Sequence, residues 1–374
     1  MGKVFNNKDV RSWIFQSLLV GGLALLAVTA FRNARQALEE RGISTGFGFL
    51  DEPSGFALSE SIIPFDPGAS VAQAFLAGLA NTVYVSLSAI ILATVLGVLI
   101  GLARMSRNRL LSVFAGLYVE LFRNTPQLIQ IIFWYTFIIM LPNIRNAFDF
   151  GGGFYLSNRG LALAWLADPT AGALAATALG VGFVTALILL CLPGRRRWRG
   201  KAIALCIALP LLLLAVSVAL FGISRPELTG FNFTGGVVVS PEFLALFLGL
   251  GCYIASFIAE IVRAGLTSVD KGQIEAADTL GLPTGKVLLS VKIPQALRVI
   301  VPVAAAQYIS LVKNSSLGVA IGYPELFNVS NSLATLTGQA IECVAIMGVL
   351  YLLTAIGMSA LANGFNKMTM ITER

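Results

Sequence analysis

Histidine is absent from the 374 residues, which removes imidazole as a metal ligand, proton shuttle or general base. Charge is scarce as well. Asp, Glu, Lys and Arg make up 12% of the chain, against about 25% in an ordinary soluble domain. Four cysteines, Cys191, Cys206, Cys252 and Cys343, lie in or beside apolar runs with no metal-type spacing, so they read as core residues. No fixed-period repeat signals a solenoid. A nucleotide-binding phosphate loop is missing too. Its nearest imitation, Gly281-Leu-Pro-Thr-Gly285-Lys286, has Leu280 where glycine is required and Val287 where a hydroxyl is required.

What the chain has instead is apolar length: 56% hydrophobic residues and a mean hydropathy of +0.82. These residues fall into eight windows, Trp13–Phe31, Leu76–Leu102, Leu117–Met140, Ala171–Leu192, Ala202–Phe221, Pro241–Val262, Ala296–Leu311 and Ile341–Ala362. A bilayer core is crossed by about 20 apolar residues of helix, so the expected fold is an all-α polytopic membrane protein with about eight spans. The net charge of +7 is spread over short loops and does not suggest nucleic acid.

Alternating the spans from a cytoplasmic N-terminus places most basic residues on one side. That side holds Lys3, Lys8 and Arg11, then Arg104, Arg107 and Arg109, then Arg195 to Lys201. It also holds Arg263, Lys271, Lys286, Lys292, Arg298, Lys367 and Arg374. The positive-inside rule therefore puts both termini in the cytoplasm. The first window reads as a retained anchor. A signal peptide cleaved near Val28 or Ala30 is the competing reading, disfavoured by the following Phe31-Arg32-Asn33. Residues 1–75 are then an anchor and external segment, and 76–374 the transmembrane domain, with an inserted segment and span pair at about 142–240. The external stretch 31–70 carries Gly42, Gly46, Pro53 and Pro64 and reads as loop or short surface helix, and a second external segment, 142–169, contains Gly151-Gly152-Gly153. The pairs Gly97/Gly101 and Gly318/Gly322 read as helix-packing positions.

The segment from Arg263 to Pro283 lies between the sixth and seventh windows. Asp270 with Gln273 predicts a capping box, Gly281 a left-handed helix end, and Pro283 a stop. The short helix between them carries Gly272, Glu275, Ala276, Ala277 and Asp278. This stretch resembles the loop of ABC importer permeases in which Glu-Ala-Ala is followed by glycine at a fixed interval, here Glu275, Ala276, Ala277 and Gly281, with Ile293-Pro294 beyond. Asn81-Thr82, Glu120-Leu-Phe-Arg123-Asn124-Thr125-Pro126-Gln127 and Leu311-Val-Lys313-Asn314-Ser-Ser-Leu317 resemble the polar and general L-amino-acid permeases of that class. Asn124 stands where the family commonly has glycine. The resemblance covers about half the chain. The extra first span and inserted pair are similar to the longer of two permease subunits in general L-amino-acid importers.

The resemblance implies a type I importer core in the bacterial inner membrane. The short helix would be a coupling helix seated in a separate ATPase subunit, which would carry the ATP and magnesium; this chain would hold no cofactor. The implied partners are a second, different permease subunit, ATP-binding subunits and an external solute-binding protein. Ionisable residues inside spans suggest pathway roles. The candidates are Asn81, Glu120, Arg123, Gln127, Glu260, Gln307, Lys313 and Asn314. Glu120, Arg123, Asn124 and Gln127, spaced at i, i+3, i+4 and i+7, share one helical face. Arg123 could meet a carboxylate and Glu120 an ammonium, or the two could simply pair. Glu260 with Arg263 reads equally as a salt bridge, Lys313 as a snorkelling side chain, and Asn81 as a cap of its own helix. An ion-coupled secondary transporter or channel is the alternative function. An intramembrane enzyme lacks a nucleophile–base pair or metal set.

Overall fold

The computed structural model describes residues 8–40, 46–191, 196–230 and 232–369. Lys3, Gly42, Leu192, Arg195 and Arg374, named above, lie outside them. The helices are α1 (Lys8–Glu40), α2 (Val71–Arg104), α3 (Arg109–Asn124), α4 (Gln127–Ile139), α5 (Pro169–Cys191) and α6 (Arg196–Phe221). They continue as α7 (Pro241–Thr267), α8 (Lys271–Thr279), α9 (Thr284–Val287), α10 (Ile293–Asn314), α11 (Leu326–Thr337) and α12 (Ala340–Thr369). Among the described residues, six helical stretches are long and apolar enough to cross a membrane, and Gln127–Ile139 and Thr170–Gly180 are shorter apolar helices.

α7 is the centre of the bundle and packs against α2, α4, α10 and α3. Its sequence explains why. Leu246, Leu250, Ile254, Ile258 and Val262 recur at helical spacing, and Ala245, Gly249, Gly251, Ala255 and Ala259 keep the intervening surface low. Gly97 and Gly101 of α2 lie directly on it. A β-carbon at Gly97 would come within 2.6 Å of Ile258 Cβ, and one at Gly101 within 2.7 Å of the Ala259 carbonyl oxygen. Gly249 and Gly251 receive Ile131 and Leu92 in the same way. Gly318 is close-packed against Leu246, but Gly322 is not a packing residue. It has φ +78° and ends the 3-10 segment Ser315–Ile321.

A second core joins Phe49, Val71 and Phe75 to Leu326, Val329, Leu333 and Cys343, fastening the strap of residues 46–70 and the start of α2 to α11 and α12. Ser70 caps α2 and forms a capping box with Gln73. α1 stands apart, with its apolar face exposed from Trp13 to Phe31.

Residues 142–169 and 222–240 are not plain loop. Both hold short strands. β1 (Phe148–Asp149), β2 (Tyr155–Ser157), β3 (Gly160–Leu163) and β8 (Val237–Val239) make one antiparallel sheet in that order. β4 (Trp165–Leu166) pairs with β5 (Ile223–Ser224), and β6 (Glu227–Thr229) with β7 (Asn232–Thr234). The β3–β8 and β4–β5 pairings join the chain entering α5 to the chain leaving α6, whereas β6–β7 is a local hairpin. The bundle thus has a strand-bearing end and, opposite it, an end carrying α8.

Candidate functional site: a broken helix and a protruding loop helix

The window Leu117–Met140 is not one helix. α3 stops at Asn124, Thr125 is extended, and α4 restarts after Pro126. The cause is local. A proline disfavours helical backbone in the residue before it and cannot donate to the preceding turn. Glu120 and Arg123 therefore do not share a helical face with Gln127, which corrects the expectation of a single polar stripe. Gln130 holds the break closed. Its Nε2 donates to the carbonyls of Phe122 (2.9 Å) and Thr125 (3.0 Å), satisfying acceptors that the interruption frees. Sequence reading left Gln130 without a role, although its spacing from Gln127 put it one turn along.

Around this break the candidates divide. Glu120 and Arg123 are exposed on the single chain, and no ion pair joins them among the described residues. Arg123 instead lies over the Phe257 ring of α7, 5.0 Å from its centre, a cation–π contact. Tyr118 fixes the same two helices by donating to the Cys252 carbonyl at 2.8 Å. Gln127 is buried. Its Oε1 accepts from Asn314 Nδ2 at 2.7 Å, while its Nε2 has no partner. α10 thus meets the break through Asn314. Gln307 is half-buried and Lys313 exposed on the same helix, and Tyr308 hydrogen-bonds Thr94 at 2.7 Å.

Asn81 is not a helix cap. It is fully buried inside α2, its Nδ2 donating to the carbonyls of Glu60 (3.0 Å) and Pro324 (2.9 Å) and its Oδ1 accepting from the Ile62 N–H (3.0 Å). Every partner is distant in sequence, so the residue ties the strap to α2 and to the entrance of α11. Glu260 bonds Arg263 as expected, and Arg104 of α2 bonds the same carboxylate. Removing it leaves two guanidiniums facing each other. Because these side chains are 23% to 37% exposed, Glu260→Ala is expected to cost about 1–3 kcal/mol, less than a fully buried pair. A lowered melting temperature of the purified complex checks this, and Glu260→Gln should recover part of the loss.

At the opposite end from the strands, Asp270 caps α8 by accepting from the Gly272 N–H at 2.6 Å. That bond goes to the second helical N–H and not to Gln273, whose N–H bonds the Asp270 main-chain carbonyl at 3.2 Å, so a simple cap stands where a capping box was expected. Gly281 closes the helix at φ +69°. Ala277 is the buried residue of α8, whereas Gly272, Glu275, Ala276 and Asp278 are exposed, as is Leu280 just beyond it. The result is a small-residue surface with a carboxylate, held between α7 and α10.

Residues 195–369 match the model of the binding-protein-dependent transport system inner membrane component family. Over 99% of its length the chain is 41% identical to 97% of the putative amino-acid ABC transporter permease protein YhdX of Escherichia coli (strain K12). The chain belongs to the amino-acid ABC transporter permease family. The permease is also 40% identical to the general L-amino acid transport system permease protein AapQ of Rhizobium johnstonii, covering 97% of the chain and 93% of that protein. Among solved structures, an amino acid ABC transporter crystallised with histidines superposes with a TM-score of 0.48 at 21% identity, over 79% of this chain and 94% of that one. The permease is a multi-pass membrane protein, and family membership supports an ATP-linked permease over the secondary-transporter alternative.

Proposed function

We propose that this permease forms half of an import route for polar or general L-amino acids in a bacterial cytoplasmic membrane, with both termini and α8 in the cytoplasm and the strands outside. The observation that carries the reading is the exposed α8. It is joined directly to α7 and, through α9 and the π-helical segment Leu288–Lys292, to α10, the helices that carry Glu260, Gln307, Lys313 and Asn314. A force applied at Gly272, Glu275, Ala276, Ala277 or Gly281 would move exactly those helices against α2 to α4, the kind of rigid-body shift alternating access needs. The force comes from ATP-binding subunits that bind ATP and magnesium. A second, different permease subunit completes the route, and an external solute-binding protein delivers the ligand.

Chemistry at the break fits a zwitterion. Arg123, the N-terminus of α4 and the unpartnered Nε2 of Gln127 supply positive potential and donors for a carboxylate. Glu120 supplies an acceptor for an ammonium. Membrane vesicles containing the assembled transporter should take up labelled L-amino acids only with ATP inside and the ATPase present; uptake without any ATPase would sink the reading. Arg123→Gln should lower the maximal rate about tenfold or more through loss of a charge-assisted contact, with the complex still assembled. A variant with unchanged uptake would remove Arg123 from the pathway.

A further inference from the structure

A cavity of about 560 Å³ opens at the strand-bearing end, within the size range of small-molecule sites. Separate parts of the chain converge on it: Glu60 from the strap, Tyr135 from α4, Arg159 from the β2–β3 turn, Phe233 from β7, and Ser240 and Glu242 at the start of α7. The hydroxyl of Ser240 donates to Glu60, and Tyr135 donates to Glu242 at 3.2 Å. Each contact occupies one carboxylate oxygen, and neither carboxylate makes a further side-chain hydrogen bond among the described residues. Burial raises the Glu60 carboxyl above its usual range, the Ser240 hydrogen bond pulls it back, and the charge of Glu242 pushes it up again. A cation placed between the two carboxylates would relieve both the burial and the repulsion. Arg159 on the rim gives the opposite charge. Two acids and one base therefore suit a ligand with one ammonium and one carboxylate, and disfavour a ligand carrying a second carboxylate.

We propose that this cavity is an external waiting site for a free α-amino acid, its ammonium between Glu60 and Glu242 and its carboxylate toward Arg159. The direction of travel rests on the import reading above; the chemistry of the cavity does not. Neutral and basic amino acids should occupy it in preference to acidic ones.

The test uses the full transporter complex in nanodiscs, without solute-binding protein, and radiolabelled L-lysine and L-glutamate as probes. Lysine should bind more tightly than glutamate. Glu242→Gln, which keeps an acceptor for Tyr135, and Arg159→Gln should each weaken lysine binding about tenfold, the size expected for a charged hydrogen bond. Arg159→Lys should recover most of it. In vesicles the same variants should raise the KM for uptake and leave the maximal rate in place, unlike Arg123→Gln. Unchanged lysine binding in both Gln variants would overturn the proposal, as would stronger binding of glutamate. Displacement of lysine by calcium at equal concentration would reassign the cavity to a metal cation. Absence of ATP-driven uptake by the wild type would instead defeat the import reading, and the binding result would still judge the cavity.

Discussion

Vesicles carrying Glu275→Lys are expected to lose at least about nine-tenths of ATP-driven amino-acid uptake while holding the same amount of assembled complex. Glu275 is exposed on α8 and makes no hydrogen bond or ion pair among the described residues. Lysine and glutamate have similar helix propensity, and exposed substitutions of this kind change stability by about 0.5 kcal/mol or less. The fold gives no reason for the variant to fail. A buried charge pair at a protein–protein contact is another matter: reversing one partner sets like charges together and costs several kcal/mol. Uptake, ATPase stimulation by ligand, and the quantity of complex extracted from the membrane should be measured together. Normal uptake would remove Glu275 from the ATPase contact. Gly281→Ala makes a useful companion. At φ +69° a β-carbon costs about 1–2 kcal/mol, so it should loosen the end of α8 and lower the coupling of hydrolysis to transport more mildly than the charge reversal.

The double substitution Gly97→Val and Gly101→Val should have the largest effect on the folded state. Each glycine faces α7 with no room for a side chain. The obstruction at Gly101 is the Ala259 backbone oxygen, which cannot rotate away, and at Gly97 it is the branched Ile258. Overpacking a tight core costs about 1–3 kcal/mol per site, and these two lie one turn apart on the same contact, so they drive the helices apart together. The expected outcome is little or no monodisperse complex after detergent extraction and a clearly lower melting midpoint in whatever remains. Gly348→Ala on α12, where nothing lies within 4 Å, is the control and should leave both unchanged. Equal stability of the two variants would contradict the close approach of α2 to α7.

Hydropathy made the long helices legible because uncharged runs such as Leu76–Leu102 have no alternative in water. The Gly97/Gly101 spacing and Gly281 were legible for similar reasons: each rests on a property that glycine alone has. The interruption at Thr125 was harder. The apolar run continues across it, and Pro126 can either kink a helix or end one; the choice depends on Gln130 reaching the freed carbonyls. Strands of two to four residues between Phe148 and Val239 show too few alternations to reveal a period, and two of the pairings, β3 with β8 and β4 with β5, reach across the α5–α6 hairpin. Asn81 was misjudged for a like reason. Its three hydrogen-bond partners sit on the strap and before α11, and nothing within a few residues of position 81 announces them. Ser70 with Gln73, by contrast, was a readable capping box that hydropathy windows passed over. Glu60 and Glu242 were invisible as a pair until the strap folded back over α7.

The pairing of β3 with β8 also bears on how the chain is assembled in the membrane. During synthesis β3 is complete long before Val237 exists, and α5 and α6 must both be placed in the meantime. The sheet can close only if the two strands emerge on the same face of the bilayer, which requires that the hairpin between them cross twice or not at all. A chain in which a single helix failed to insert would leave Leu161, Ala162 and Leu163 without their partners Val239, Val238 and Val237. The hydrogen bonds of β3 with β8 thus add their stability only to the chain in which the hairpin between them is correctly placed.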